Sequence, residues 1–471
     1  MTAGAPRVRS VASTAPFEPG DPVAVLGLGL SGCAAARLLH ARGARVYVSD
    51  AAAGPSQLEA ASGLQGEGIE TQVGGHDMER IVACRLVITS PGIDPGSELR
   101  RAIDAADVPT LAEVEVASRY LRSRTIGITG TNGKTTTTAL CGHLLRSAGV
   151  SSATAGNIGR PLSDVALLEE QPDWVVVELS SFQLADLDTF APDVGVLLNL
   201  APDHLDRYPS LERYYQDKRR LFLNDSPDGR WVLNADDPAV LELARDLAGR
   251  RFLASMAPHD DPGAFVDASG VLSQRLGGVV EPWLATDELP LIGRHNIMNA
   301  LLGGTAAALA GCDAAAIGDG LRSFEGLPHR LQPVGEFEGV LWINDSKGTN
   351  VSAARVALEA FNGRPLIVIL GGRHKGEPYT TLAPSLVRNA RAVIAYGEAA
   401  PLIVRELGDH VRVSVANGFE EVIRLSRSAA APGDVVLFSP ACSSYDMFPN
   451  YEVRGRTFET GVRALYAGDA E

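Results

Sequence analysis

The chain has 471 residues, a formal net charge of −15 and 45% hydrophobic residues. That length accommodates about three domains, and the hydrophobic share is enough for each to bury a core. The acidic balance excludes a general nucleic-acid binder, whose surface field is basic, but leaves phosphate ligands open, since local donors hold those.

Residues 1–20 contain no apolar segment long enough for a secretory signal and read as a flexible tail. From residue 21 onward, short β-branched runs alternate with helical patterns, the signature of parallel sheets with crossover helices. The block 21–122 carries "PVAVLGLG", "ARVYVSD" and "RLVITSPGI" and reads as a Rossmann-like domain. The block 123–326 carries "TIGITG", "WVVVELSS", "DVGVLLN" and "GRWVLNADD". A stretch rich in Gly, Asp and Pro, "APHDDPGAFVDASG", then gives way to an alanine-rich helix over about 296–310. The block 327–471 carries "GVLWINDSK", "PLIVILGG", "AVIAYG", "VRVSVA" and "DVVLFSPA", a second Rossmann-like sheet. The expected fold is therefore α/β in three domains, the outer two Rossmann-like and the central one a P-loop domain on a parallel sheet. Five cysteines (Cys33, Cys84, Cys141, Cys312, Cys442) are odd in number and lack zinc-ligand spacing, so reduced thiols in a cytoplasmic protein are expected. No stretch approaches the 18 or so apolar residues of a membrane span.

Two of these strands end in phosphate-binding patterns. After the first comes Gly27-x-Gly29-x-x-Gly32: a tight turn, a close approach for a diphosphate, and close helix–strand packing. The helix N-terminus beyond it presents N–H groups to an anion, and Asp50, closing the second strand, is spaced to accept from a ribose hydroxyl. The pattern points to a nucleotide diphosphate without saying which; NAD fits it as well as others, and a glycine turn without a ligand stays open. The second pattern, "GITGTNGKTTTTAL", frees the backbone at Gly130 and Gly133 to wrap phosphate oxygens. It adds Lys134 at the β/γ-phosphates and the Thr135 hydroxyl for Mg²⁺. Ile128 stands where the general NTPase pattern has its first glycine, and Gly127 lies one residue earlier. The helix that follows is expected to run to about Ala148, with Gly149 as its C′ residue. Two phosphate loops on successive sheets exclude a simple dehydrogenase, because hydride transfer needs no γ-phosphate binder.

Further polar groups stand beside apolar runs. Glu178 ends the strand of "DWVVVELSSFQL", where a carboxylate reaches a metal held by Thr135 or else faces solvent. His204 follows another strand and Lys218 lies on the helix beyond; alone, each reads equally as a structural histidine and a solvated cation. Asn296, Asn299, Arg330 and Asp345, in "GRHNIMNAL", "GLPHRL" and "INDSKGTN", are of the kinds that grip a nucleotide.

In order, GITGTNGKTTTT, GNIG, VVELSSFQL, APDHLDRY, GRHNIMNA, LPHRL, NDSKGTN and SPACSSYDMFPNYEVRG resemble the Mur ligases over about residues 21–465. The Gly-x5-Gly-Lys-Thr spacing is the form that family uses. Within the family the SPACSSYD segment resembles the branch that adds D-glutamate, and the Asp-Asn-Pro-Arg motif of ligases adding a diamino acid is absent. The resemblance implies an ATP-dependent amide ligase acting on UDP-N-acetylmuramoyl-L-alanine through an acyl phosphate, a monomer without nucleic-acid or membrane partners.

It also implies site roles. Gly29, Leu30, Ser31 and Asp50, with the Ser90-Pro91-Gly92 loop, hold the UDP end; Asn157, Ser180 and Gln183 contact the sugar and its alanyl arm. Gly130, Thr131, Asn132, Gly133, Lys134, Thr135 and Thr136, with Asn299, Arg330 and Asp345, hold ATP. Lys134, Glu178, His204 and Lys218 form the catalytic set. Mg²⁺, at two sites, takes Thr135, Glu178, His204 and a carbamate on Lys218. Thr349, Lys375, Ser444 and Tyr451 receive D-glutamate, with Tyr451 where the family often has Phe. Other Mur or folylpolyglutamate-type ligases, and a non-catalytic UDP- or dinucleotide-binding protein, are the alternatives.

Overall fold

Five short runs build the first sheet: β1 (Pro22–Leu26), β2 (Arg45–Asp50), β3 (Glu70–Val73), β4 (Leu86–Thr89) and β5 (Thr110–Ala112). All pair in parallel, in the order β3-β2-β1-β4-β5. The order reverses at β1, and a parallel sheet opens a crevice at the carboxyl ends of its strands at such a reversal. In this computed structural model residues 16–90, 92–93, 96–204 and 207–467 are described. Residues 1–15 of the expected tail, Pro91, and Leu205 and Asp206 of the HLDRY run lie outside them, as do the last four residues of the third block.

The second sheet has nine strands: β6 (Arg124–Thr129), β7 (Ser152–Gly156), β8 (Trp174–Glu178), β9 (Val194–Leu197), β10 (Arg230–Asn234), β11 (Arg250–Ser255), β12 (Gly263–Val266), β13 (Val271–Arg275) and β14 (Glu281–Ala285). Their order is β14-β13-β12-β11-β10-β9-β6-β8-β7, so this sheet reverses at β6, the strand that feeds the Gly130 loop. It is parallel from β7 to β12, and β13 and β14 return antiparallel. Sequence reading did not foresee that antiparallel extension: the Gly/Asp/Pro-rich stretch contributes β12 and leads into two more strands. It also passed over β3, β5, β7 and β11.

The third sheet holds β15 (Gln332–Phe337), β16 (Val340–Asn344), β17 (Leu366–Gly371), β18 (Ala390–Tyr396), β19 (Val413–Val415) and β20 (Val435–Phe438). Its order is β15-β16-β20-β17-β18-β19, parallel except where β15 runs against β16. Successive strand residues point to opposite faces. Ile343, Val368 and Leu437 therefore enter one buried cluster, while Trp342, Ile367 and Phe438 enter another.

The described residues form two compact units, one up to Leu289 with Met298–Phe324, the other Pro290–Ile297 with Glu325 onward. The first two sheets share a unit and part of a core, with Leu38 in one buried cluster with Val114, Val165 and Val177. Polar contacts reinforce that junction. Asp186 accepts from Arg100 Nη1 and Nη2, each at 2.8 Å, and from Thr89 Oγ1 at 2.8 Å. Glu115 Oε2 accepts from the backbone N–H groups of Asp188, Thr189 and Phe190.

Candidate active site

The crevice of the first sheet is shaped by glycines with different duties. A Cβ on Gly32 would stand 1.9 Å from the Gly27 carbonyl oxygen, so Gly32 lets the helix Leu30–Ala41 close on the strand. A Cβ on Gly29, the helix N-cap at φ −75°, would meet nothing within 4 Å. Nothing inside the protein requires glycine there, and the space beside this helix N-terminus is open. Leu30 is exposed and Ser31 half-buried beside it. Asp50 fixes this loop: Oδ2 accepts from the Leu28 N–H at 2.8 Å and Oδ1 from the Ala52 N–H at 2.8 Å. Its carboxylate thus shapes the glycine turn, a duty the ribose reading did not include.

Ser90 leaves β4 with its Oγ buried and without a partner, and the space beside Gly92 is open. Gln183 is 2% exposed; its Oε1 accepts from the Ser180 N–H in a capping box, and its Nε2 has no partner. Ser90 and Gln183 line one small recess with Thr89, Ile93, Ala112, Phe182 and Asp186. Buried polar atoms are seldom left without hydrogen bonds, so these two are free to take a polar partner in a recess with room for about one water. Asn157 points elsewhere, donating from Nδ2 to Glu178 Oε1 at 3.0 Å.

In the second sheet the Gly130 loop turns into the helix Lys134–Ser147 at Gly133, whose φ of +85° lies in the left-handed region. A Cβ there would sit 2.6 Å from Asn299 Oδ1, which places Asn299 against the loop. The Asn199 side chain grips the Asn132 backbone across the loop, Oδ1 accepting from its N–H at 2.8 Å and Nδ2 donating to its carbonyl at 3.0 Å. Thr131 Oγ1 donates to the Ala201 carbonyl and takes bonds from the Ala201 N–H and the Tyr214 hydroxyl. Lys134 Nζ closes back on its own loop, donating to the Gly130 and Thr131 carbonyls at 3.0 and 2.8 Å. Thr135 follows half-buried and Thr136 buried. The helix ends at Ser147 with Gly149 left-handed, as the sequence indicates, and the alanine-rich helix spans Arg294–Leu309.

Glu178, 2% exposed, ends β8 directly beside β6, paired in register with Ile128. Lys218 is 1% exposed and donates to the Gly130 carbonyl at 2.7 Å, its ammonium 4.7 Å from the centre of the Tyr214 ring. Burial pushes its pKa well below the usual lysine range, and the Lys134 charge adds to that. His204 has φ +54°, rare for a non-glycine residue, and packs edge-on to Phe182. Among the described residues no three His, Cys, Asp or Glu side chains converge on a point that would cage a metal.

In the second unit the chain after β16 carries Asp345, whose Oδ1 accepts from the Leu331 N–H and Oδ2 from Ser439 Oγ. Burial pushes its carboxyl up to about 6. Arg330, in the segment before β15, is half-buried. Lys375 Nζ reaches Thr349 Oγ1 at 3.5 Å, which brings together two residues expected at the amino acid. Arg373 and Ser443 exchange backbone hydrogen bonds at 2.9 and 3.1 Å, which draws the Lys375 loop beside the segment of Ser444. The Tyr451 ring lies under Lys347 Nζ at 3.8 Å, and its carbonyl accepts from Ser346 Oγ. Sequence reading gave no role to Tyr214, Lys347 or Arg454. None stands in a spacing that advertises chemistry, and each is placed by the fold.

The sequence matches three domain families: "Mur ligase MurD-like, N-terminal domain" over residues 21–111, "Mur ligase middle domain" over 128–308, and "Mur ligase, glutamate ligase domain" over 329–442. It is 42% identical over 448 residues to a UDP-N-acetylmuramoylalanine--D-glutamate ligase of Acidobacterium capsulatum, covering 94% of this chain and 96% of that one. It is 43% identical over 456 residues to the protein of the same description from Salinibacter ruber, covering 94% and 97%. Among solved structures, UDP-N-acetylmuramate-alanine ligase MurC from Thermotoga maritima aligns with a TM-score of 0.58 at 20% identity, over 94% of this chain and 100% of that one. That likeness shows the fold.

Proposed function

The chain belongs to the Mur ligase family, and from that premise we propose that it joins D-glutamate to UDP-N-acetylmuramoyl-L-alanine with ATP, a step of peptidoglycan precursor synthesis. The observation that carries the reading is the 42% identity to such a ligase across 94% of the chain. We assign the UDP end to residues 21–122, ATP chiefly to 123–326 and the amino acid to 327–471. The open space at Gly29 and the unpartnered Ser90 and Gln183 atoms support the first assignment. The Gly133–Asn299 contact supports the second, and the Lys375–Thr349 pair the third.

A carboxylate is a poor acyl donor, because an oxide must leave. In the proposed mechanism the alanyl carboxylate attacks the γ-phosphorus of ATP, ADP departs, and an acyl phosphate forms. The amine of D-glutamate adds to the acyl carbon and loses a proton, and phosphate leaves from the tetrahedral intermediate. The protein's part is positioning and charge neutralisation. Lys134 and the N–H groups at the start of its helix face the transferring phosphoryl group, whose oxygens compete for the donors Lys134 now spends on Gly130 and Thr131. Lys375 pairs with a carboxylate of the amino acid and Ser444 donates to one.

The oxygen donors of Thr135 and Glu178 are of the kind Mg²⁺ takes, with substrate phosphates and water completing its shell. The Thr135 hydroxyl, Glu178 and His204 would hold it, and it would neutralise charge on the phosphates. Lys218 as an ammonium does not fit a second ion, since it would repel one. A carbamate on its buried amine would reverse that sign, and ¹³C spectra of the protein in labelled bicarbonate test for it. The reaction is assigned to the cytoplasm and to a monomer; among the described residues no helix is long and apolar enough to cross a membrane.

The deciding experiment is phosphate release from ATP, Mg²⁺ and UDP-N-acetylmuramoyl-L-alanine across a panel of amino acids. D-glutamate is expected to be preferred, and Lys134→Ala to abolish turnover in a folded protein. Preference for a diamino acid, or near-normal turnover by Lys134→Ala, overturns the assignment.

A further inference from the structure

Arg454 is the one arginine among the largest fully buried side chains, at 0% exposure, on the helix Tyr451–Ala467. Its partners are all neutral. Nε donates to Ser346 Oγ at 3.0 Å, Nη2 to the Ser346 carbonyl at 2.7 Å and Nη1 to the Cys442 carbonyl at 3.1 Å. Among the described residues no carboxylate lies within ion-pair distance of it. A buried charge normally carries such a partner, because desolvating an ion is costly. Asp345, next to Ser346, feels the guanidinium charge but spends its own oxygens on Leu331 and Ser439.

Two chain segments bond to this guanidinium and a third passes beside it, and each leads to a residue assigned to the amino acid. Ser346 lies three residues before Thr349, and Cys442 two before Ser444. A Cβ on Gly372 would stand 3.2 Å from Arg454 Nη1, and Gly372 lies three residues before Lys375. The planar fork of donors suits this arrangement, since a single ammonium cannot span three acceptors in one plane.

We propose that Arg454 is the positioning residue of the amino-acid site: its fork ties the Thr349 segment to the Ser444 segment and packs against the glycine that leads to Lys375, and its charge, unpaired by any protein carboxylate, favours an amino acid with two carboxylates over a neutral-tailed one. The inference rests on the functional reading above, in that it takes these segments to receive the amino acid. D-glutamate carries two carboxylates and one ammonium, so a site biased by Lys375 and by a buried cation behind it matches that charge. Such a cation needs no protein carboxylate, because the substrate supplies the negative charge.

The test is steady-state kinetics of Arg454→Gln and Arg454→Lys, varying each of the three substrates in turn, with thermal melts as a fold control. Arg454→Gln is expected to raise KM for D-glutamate at least tenfold, leaving KM for ATP and for the UDP substrate within twofold. It should also narrow the preference for D-glutamate over D-glutamine. Arg454→Lys keeps the charge and loses the fork, so it should raise KM for D-glutamate while retaining that preference. An unchanged KM for D-glutamate, or an equal rise in all three KM values as expected of a purely structural residue, overturns the proposal. Should Arg454→Gln fail to fold, Arg454→Lys and Ser346→Ala decide by the same selective rise in KM. Should the wild type prefer another amino acid, the functional reading falls, while selectivity of these variants for that amino acid still decides the role of Arg454.

Discussion

Asp345→Asn is expected to make the protein more stable at pH 8 while impairing ATP-dependent turnover. The carboxyl is buried, and its pKa stands at about 6 against an ordinary 3.8. A raised pKa means that folding favours the protonated acid. The associated stability is fully present below pH 3.8 and is lost as pH rises through about 6. Roughly two pKa units correspond to about 3 kcal/mol at pH 8. The asparagine variant escapes that penalty. Its Oδ1 keeps the bond from the Leu331 N–H, and its Nδ2 can donate to Ser439 Oγ once that hydroxyl turns to accept. Allowing about 1 kcal/mol for the altered bond, the net gain is about 2 kcal/mol at pH 8, vanishing or reversing below pH 4. Urea unfolding followed at both pH values by tryptophan fluorescence measures it, with Trp342 buried on the strand that leads into Asp345 as a reporter. A variant less stable than the wild type at pH 8, or a wild type whose stability does not fall between pH 4 and 8, refutes the reasoning.

Gly29→Val should weaken the UDP-muramoyl substrate, spare ATP and cost under about 1 kcal/mol of stability as a poorer N-cap. Gly32→Ala, with its Cβ 1.9 Å from the Gly27 oxygen, should destabilise by about 2 kcal/mol or more in a melt. Equal loss of both substrates in Gly29→Val would displace the UDP site. Glu113 is fully buried with its Oε2 unpartnered, and burial raises its pKa from 4.5 to about 7. Its stabilising effect is therefore present below pH 4.5 and lost as pH rises through 7, so Glu113→Gln should stabilise at pH 8.5 by up to about 3 kcal/mol. An unaltered pH profile in denaturation would count against it. Asp186→Ala strips Arg100 of a two-pronged partner and should lower stability by about 3 kcal/mol. A double-mutant cycle with Arg100→Ala that shows no coupling would mean the pair holds nothing.

The three-sheet plan was legible because its central strands are continuous apolar runs, such as "WVVVE" of β8 and "LIVILG" of β17. The strands passed over have a different character. β3 is "ETQV", β7 "SATAG" and β11 "RRFLAS", runs mixed with polar, charged or small residues whose own pattern does not mark a strand. The antiparallel turn of β12, β13 and β14 was hidden by its Gly, Asp and Pro content, which reads locally as loop. Helix ends were better marked. Gly133 and Gly149 bracket the helix Lys134–Ser147 with left-handed backbone, a requirement visible in residue type alone.

The site divides along the same line. Phosphate loops are legible because one short segment supplies the turn, the donors and the cation, so type and spacing suffice. The proposed amino-acid pocket has no such segment: Thr349, Lys375 and Ser444 lie on three connections of one sheet, and only their family pattern joined them in the sequence. What joins them physically is Arg454, whose acceptors are 108 and 12 residues away in the chain. In sequence it stands in "YEVRG" as one more charged residue at the start of a helix. Its burial, its neutral partners and its three-way reach exist only after β16, β17 and β20 have paired. A ligand-binding loop can therefore be read before folding, whereas a site built across strand ends is legible only through the residue that ties the ends together. The proposed role of Arg454 puts the specificity for the amino acid on a residue of that second kind.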